Sequence, residues 1–285
     1  HNGTSKHTMN PNKELDRTRL LKAIQHSTKA LKPFREVRKA MVRDFVGSYY
    51  GMTDELNRRE VIMNLMYQTA ETYTMSLAAN RPRVLVTARH PDIEWFAHTF
   101  QLSLNNLIKE IRLEDILRKA VMDSFFAIGI VKVYTADAGL VQLEGEDEWV
   151  DPGKPFAENI SLDDFVYDTT ASEWRKSSFC LNKFRISREK VMNDSAYDRK
   201  VIEQLKPATQ YPNYSNHDGE VPVREMLTAE TTEPGIDPML DLMDIWLPKD
   251  NLIVTMPVGK DTKPVRIVEW EGPENGPFHT LSLTC

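Results

Sequence analysis

Residues 113–134, LEDILRKAVMDSFFAIGIVKVY, hold two periodicities back to back. From Leu113 to Phe126, Ile116, Leu117, Ala120, Val121 and Phe125 recur at the spacing of one helical face. Gly129 then stops the helix, and Ile130-Val131-Lys132-Val133-Tyr134 reads as a strand. Most of the chain before this junction reads as helix, and most of the regular structure after it as strand. The expected fold class is therefore α+β, a helical N-terminal half followed by mainly antiparallel strands.

Upstream, residues 13–46 read as two helices divided near Pro33. The first sets Leu20, Leu21, Ile24 and Leu31 on one side and Arg19, Lys22, His26 and Lys29 on the other. The second is expected to bury Phe34, Val37, Met41 and Phe45 and to carry a basic row of Arg35, Lys39 and Arg43. After a break at Gly47–Gly51, residues 54–79 predict the longest helix, with Ile62, Met66, Tyr73 and Leu77 inward. Asn80-Arg81-Pro82 ends it, and Val84-Leu85-Val86 is expected to be a short strand. His90-Pro91-Asp92 opens a further helix, with Pro91 and the acids Asp92 and Glu94 in its first turn. Ile93, Phe96, Phe100, Leu104, Leu107 and Ile111 form its apolar stripe.

Downstream, short alternating runs are separated by turns rich in Pro, Gly, Asp and Asn. They span 140–143, 165–167, 179–184, 242–246, 252–256, 265–270 and 278–283. Residues 187–205 read as a helical interlude and 207–222 as a polar surface loop. The polar residues 1–12 are expected to be a flexible leader, 13–128 a helical region and 129–285 a β-rich region. The run 278–283 is followed by only two residues, so the expectation is a segment of a longer protein.

Composition narrows the function. The 285 residues are 41% apolar and 27% charged, enough to bury a core. No apolar run approaches the ~20 residues of a membrane span, and no signal peptide pattern occurs, so no membrane partner is expected. Two cysteines, Cys180 and Cys285, fit neither a disulfide scaffold nor a structural zinc site and point to a reducing compartment. Net charge is −6, against a simple basic nucleic-acid binder, but it is unevenly spread. Residues 1–50 hold 11 Lys/Arg and 4 Asp/Glu, a net of +7, leaving −13 for the rest. Such asymmetry fits different partners for the two regions, or attraction between them, or simply two well-solvated basic helices.

Motifs for chemistry are scarce. No phosphate-binding glycine pattern and no Gly-x-Ser-x-Gly elbow occurs. His90 and His98 read as solvated histidines, and Glu144, Glu146, Asp147 and Glu148 as a solvated acidic loop. Asp163, Asp164 and Asp168 are the one set that could hold a hard cation, as in a metal-dependent phosphodiesterase, but caps and turn acceptors explain them better. Cys180 reads as a buried small hydrophobe. Arg35, Lys39 and Arg43 could meet phosphates or an acidic protein surface, without the aromatics of a base-stacking groove.

The order of elements resembles portal proteins, the head–tail connectors of tailed bacteriophages, particularly podovirus-like ones. The likeness rests on Glu60–Asn64 running through Asn80-Arg81-Pro82 into Val84–Val86, and on the helix–Gly–strand element Leu117–Val133. Ser161–Asp168, Met243–Pro248 and Trp270–His279 resemble the family's later β features. Together these span about residues 55–285; the family's stem, clip and crown have no counterpart here, so the chain resembles mainly the wing.

The resemblance implies a structural virion protein with no catalytic residue and no cofactor. Its subunits would form a ring, usually a dodecamer, at one capsid vertex, through which viral DNA is packaged and ejected. Capsid and tail adaptor proteins would be its partners, with the packaging motor bound through parts outside this chain. It would be made in the host cytoplasm and reside in the virion. The candidate partner contacts are Arg19, Lys22, Lys29, Arg35, Lys39 and Arg43. A virion adaptor that forms no ring is the alternative.

Overall fold

The computed structural model describes residues 17–46, 64–78, 82–136, 141–142, 149–150, 153–172, 176–205, 238–258 and 263–283. The leader 1–12, the break 47–51, the acidic run 144–148 and the loop 207–222 lie outside them. The class is α+β. Helices α1 (Arg17–Ala30), α2 (Lys32–Val46), α3 (Leu65–Ala78), α4 (Glu94–Glu110) and α5 (Leu113–Phe126) come first. Strands β1 (Gly129–Ala136), β2 (Val141–Gln142), β3 (Trp149–Val150), β4 (Lys154–Ile160), β5 (Phe165–Tyr167) and β6 (Cys180–Ser187) follow. After the short helices α6 (Arg188–Asn193) and α7 (Arg199–Glu203) come β7 (Met239–Leu247), β8 (Leu252–Pro257), β9 (Arg266–Glu269) and β10 (Phe278–Leu281).

Among the described residues all strand pairings are antiparallel. One sheet has the order β10-β1-β4, a second β5-β6-β7-β8-β9, and β2-β3 form a small ribbon. Strand β7 explains how the larger sheet is covered. Met243, Ile245 and Leu247 face α1, packing with Ile24, Leu31, Leu181, Val254 and Met256. Leu240 and Leu242 point the other way, against Val191 and Ile202 of the short helices. Trp246 meets Ile130, Ile160 and Phe278 of the smaller sheet. With both faces buried, β7 is apolar along most of its length apart from Asp241 and Asp244.

The junction 113–134 folds as its sequence predicts. Gly129 sits so close to α5 that a Cβ there would run into the carbonyl oxygen of Ala120. Only glycine lets β1 turn back onto the helix that precedes it.

Several expectations are corrected. Of the expected helix 54–79, residues 54–63, with Ile62, and residue 79 lie outside the described residues; Asn64 is non-helical and caps α3, accepting from the Tyr67 N–H at 2.9 Å and donating to the Phe45 carbonyl at 2.7 Å. Within α3 the inward residues are Ala70, Thr74 and Ala78, at steps of four, whereas Tyr73 and Leu77 are exposed. In α2, Phe34 and Val37 face solvent. Strand β4 carries Pro155, Glu158 and Asn159 and gave no alternating signal; as an edge strand it tolerates the proline.

Candidate interaction surface

A further correction concerns Val84–Val86, expected as a short strand, which is extended but pairs with no strand among the described residues. Two amide side chains on α4 take the place of a neighbouring strand. Val84 donates its N–H to Asn105 Oδ1 at 3.1 Å and accepts from Asn105 Nδ2 at 3.0 Å. Val86 donates to Gln101 Oε1 at 3.1 Å. Gln101 and Asn105 lie four apart, so one helical face presents both. An extended chain alternates its backbone groups, so those of Arg83, Leu85 and Thr87 turn away from α4. Leu85 is 79% exposed.

A one-turn 3₁₀ segment, Pro91–Ile93, leads into α4, and its first turn carries the expected Pro91, Asp92 and Glu94. The apolar stripe of α4 divides along its length. Leu104, Leu107 and Ile111 are half-buried near α5, but Ile93, Phe96 and Phe100, expected in the core, are open. Only Ala97 is fully buried. Trp95 is 71% exposed and meets Phe96 edge-on with centroids 6.1 Å apart, and Phe96 stacks on Phe100 at 5.9 Å. These rings make an apolar surface of a kind that marks an interaction site.

The six basic candidates separate. Arg19, Lys22, Lys29 and Arg43 are exposed, whereas Arg35 and Lys39 are half-buried. Arg35 Nη2 donates to the Phe165 carbonyl at 2.8 Å, so its guanidinium serves the fold as an internal tie. Its neighbour Arg38, which no sequence pattern singled out, pairs with Asp163 at 3.0 Å and Asp123 at 3.5 Å. Thus α2 docks through two arginines, whose long stems can be buried while their charged ends reach carbonyls and carboxylates. That preference turns Phe34 and Val37 outward.

The carboxylates are dispersed. Asp168 accepts from the Thr170 N–H at 3.0 Å, the Thr170 hydroxyl at 2.6 Å and the Ser178 N–H at 3.3 Å. Burial works against its charge, yet these hydrogen bonds hold its carboxyl below the usual value. Asp163 is committed to Arg38. Among the described residues, no three of His, Cys, Asp and Glu stand close enough to hold a metal ion. His90 precedes the 3₁₀ turn and His98 lies within α4. Cys180 is 1% exposed, and burial first, with the Asp168 charge, pushes its thiol up to about 12, against a hydrogen bond with Ser177.

A buried charge cluster joins the two sheets. Lys132 of β1 reaches Asp244 of β7 at 2.8 Å, Thr255 of β8 donates to the same carboxylate at 2.6 Å, and Arg266 of β9 approaches it at 3.7 Å. Glu158 of β4 stands 4.0 Å from the Lys132 ammonium, which also lies over the Tyr134 and Phe184 rings. The signal for this cluster was one charge inside each of two apolar strands, IVKVY and LMDIW.

No family model matches the chain, and no curated protein matches it significantly. Among the described residues, no helix is long and apolar enough to cross a membrane.

Proposed function

We propose that this chain is a structural subunit that works by assembling with copies of itself into a portal-type ring. The ring would sit at one capsid vertex of a tailed phage, passing viral DNA and meeting capsid and tail adaptor proteins. The observation that carries this reading is the open apolar row of α4, Trp95, Phe96 and Phe100. Water disfavours such a row, and a neighbouring subunit would cover it. The uneven charge, +7 in residues 1–50 against −13 beyond, supports contacts between unlike surfaces, the kind that build cyclic assemblies.

Native mass measurement and negative-stain imaging of the full chain test it. Closed rings support the reading; a monomer at micromolar concentration, at low and high salt, overturns it. The adaptor alternative draws on a different observation, Phe34 and Val37 exposed on α2. It expects a chain that stays monomeric and whose binding to another virion protein is lost on Val37→Asp.

A further inference from the structure

The extended segment 82–88 and strand β9 are two open β edges, one carrying the exposed Arg83 and the other the exposed Glu269. The first is held on one side by Asn105 and Gln101, which leaves the alternate backbone groups of Arg83, Leu85 and Thr87 facing away from α4. It carries Val84 and Leu85, both exposed, between Arg83 and Arg89, with Lys109, Arg112, Glu114 and Asp115 around the groove beside it. Strand β9 is the last strand of its sheet, paired to β8 alone among the described residues. Successive strand residues point to opposite faces, yet Ile267 is 38% and Val268 41% exposed, so β9 overhangs the core on both faces. At its C-terminal end Glu269 is exposed, and Glu271 and Glu274 follow it, also exposed, while Arg266 at its start is turned toward Asp244.

We propose that residues 82–88 of one copy add as a strand to the open edge of β9 in the next copy, head to tail. Strand addition would supply backbone hydrogen bonds along both edges. In an antiparallel register that sets Val84 and Leu85 against Val268 and Ile267, Arg83 falls opposite Glu269. Because the two edges are different surfaces, each copy keeps one of each, and the contact repeats from copy to copy. The inference rests on the assembly reading above and names the surfaces through which assembly proceeds.

Mixing two variant populations of the full chain tests it. In a Cys285→Ser background, one population carries Ile267→Cys and the other carries Val84→Cys, Leu85→Cys or Val86→Cys in turn. At least one mixture should give a disulfide-linked dimer under mild oxidation, while each population alone should not. Separately, Arg83→Glu and Glu269→Arg should each weaken self-association about tenfold, and the double variant in one chain should recover it to within about threefold. Thermal melting checks that these exposed substitutions leave the fold intact. If the chain assembles but no mixture cross-links and the charge swaps change nothing, this interface is wrong and the assembly reading stands. If the unmodified chain never self-associates, both fall.

Discussion

Lys132 Nζ and Asp244 Oδ2 stand 2.8 Å apart in the seam between the two sheets, with side chains only 9% and 8% exposed. The pair ties β1, which follows directly from the helical half, to the central strand of the larger sheet. Asp244 is further held by Thr255 and Arg266, so its carboxylate is surrounded by donors on the faces it turns to β8 and β9.

Breaking that pair should be far worse than removing it. Lys132→Met leaves a buried carboxylate short of its main partner and should lower unfolding free energy by about 3–5 kcal/mol. The double variant Lys132→Met/Asp244→Leu should recover most of the loss, because well-packed apolar side chains often replace a buried ion pair at little cost. Urea denaturation of the single and double variants measures both; equal losses would reject the argument.

Two carboxyls make stability depend on pH in opposite senses. Burial opposes the charge of Asp244, but Lys132, Arg266 and hydrogen bonds from Lys132 and Thr255 outweigh it, so its carboxyl titrates below the ordinary 3.8. Its contribution is present above that value and is lost as pH falls through the folded value. Glu158 is shifted up from 4.5, first by burial and then by Asp244, with Lys132 acting the other way. The folded chain holds its proton more tightly than the unfolded one, so stability is lost as pH rises from 4.5 through the raised value. Glu158→Gln should therefore stabilise the protein above that window and do little below it. Melting temperatures of the two chains across pH 4–8 should converge at the acid end (a constant offset would count against this).

Gly129→Ala should destabilise strongly although it adds one methyl. The new Cβ would meet the Ala120 backbone of α5, which cannot move as the end of a flexible side chain could. Overpacking against backbone costs about 1–3 kcal/mol or more. Chemical denaturation measures it, and a loss below about 0.5 kcal/mol, the scale of an ordinary surface change, would show that β1 and α5 can separate freely.

The basic residues of α1 and α2 should divide by role. Arg35→Glu removes the tie to the Phe165 carbonyl and sets a carboxylate against it, so the melting temperature should fall. Lys22→Glu and Lys29→Glu, at exposed positions, should leave melting unchanged and alter only the salt dependence of assembly. Calorimetry and sedimentation at low and high salt distinguish the two effects.

Cys180 should be inert while the chain is folded. Its thiol is buried and pushed up to about 12, chiefly by burial. In a Cys285→Ser chain, a thiol reagent at pH 8 should react only once denaturant is added; rapid labelling of the native chain would contradict the burial of β6.

The α+β class, the order of elements and most strand positions were legible in the sequence, because helix and strand leave different short-range periodicities. The junction at Gly129 and the strands β6, β7 and β8 were readable for that reason. Periodicity could not say which apolar stripes would find a partner. In α4, Ile93, Phe96 and Phe100 obey the same spacing as Leu104 and Leu107, yet only the latter have α5 beside them. Long-range polar partners were equally hidden: Arg38 meets Asp123 and Asp163, and Lys132 meets Asp244, across separations no local pattern encodes. Sequence by itself determined most of the segments that become helix or strand, since that choice is largely made within a few residues, Val84–Val86 and β4 excepted. The tertiary structure alone decided which faces are buried and which remain open to a partner, since burial is set by what lies across the gap.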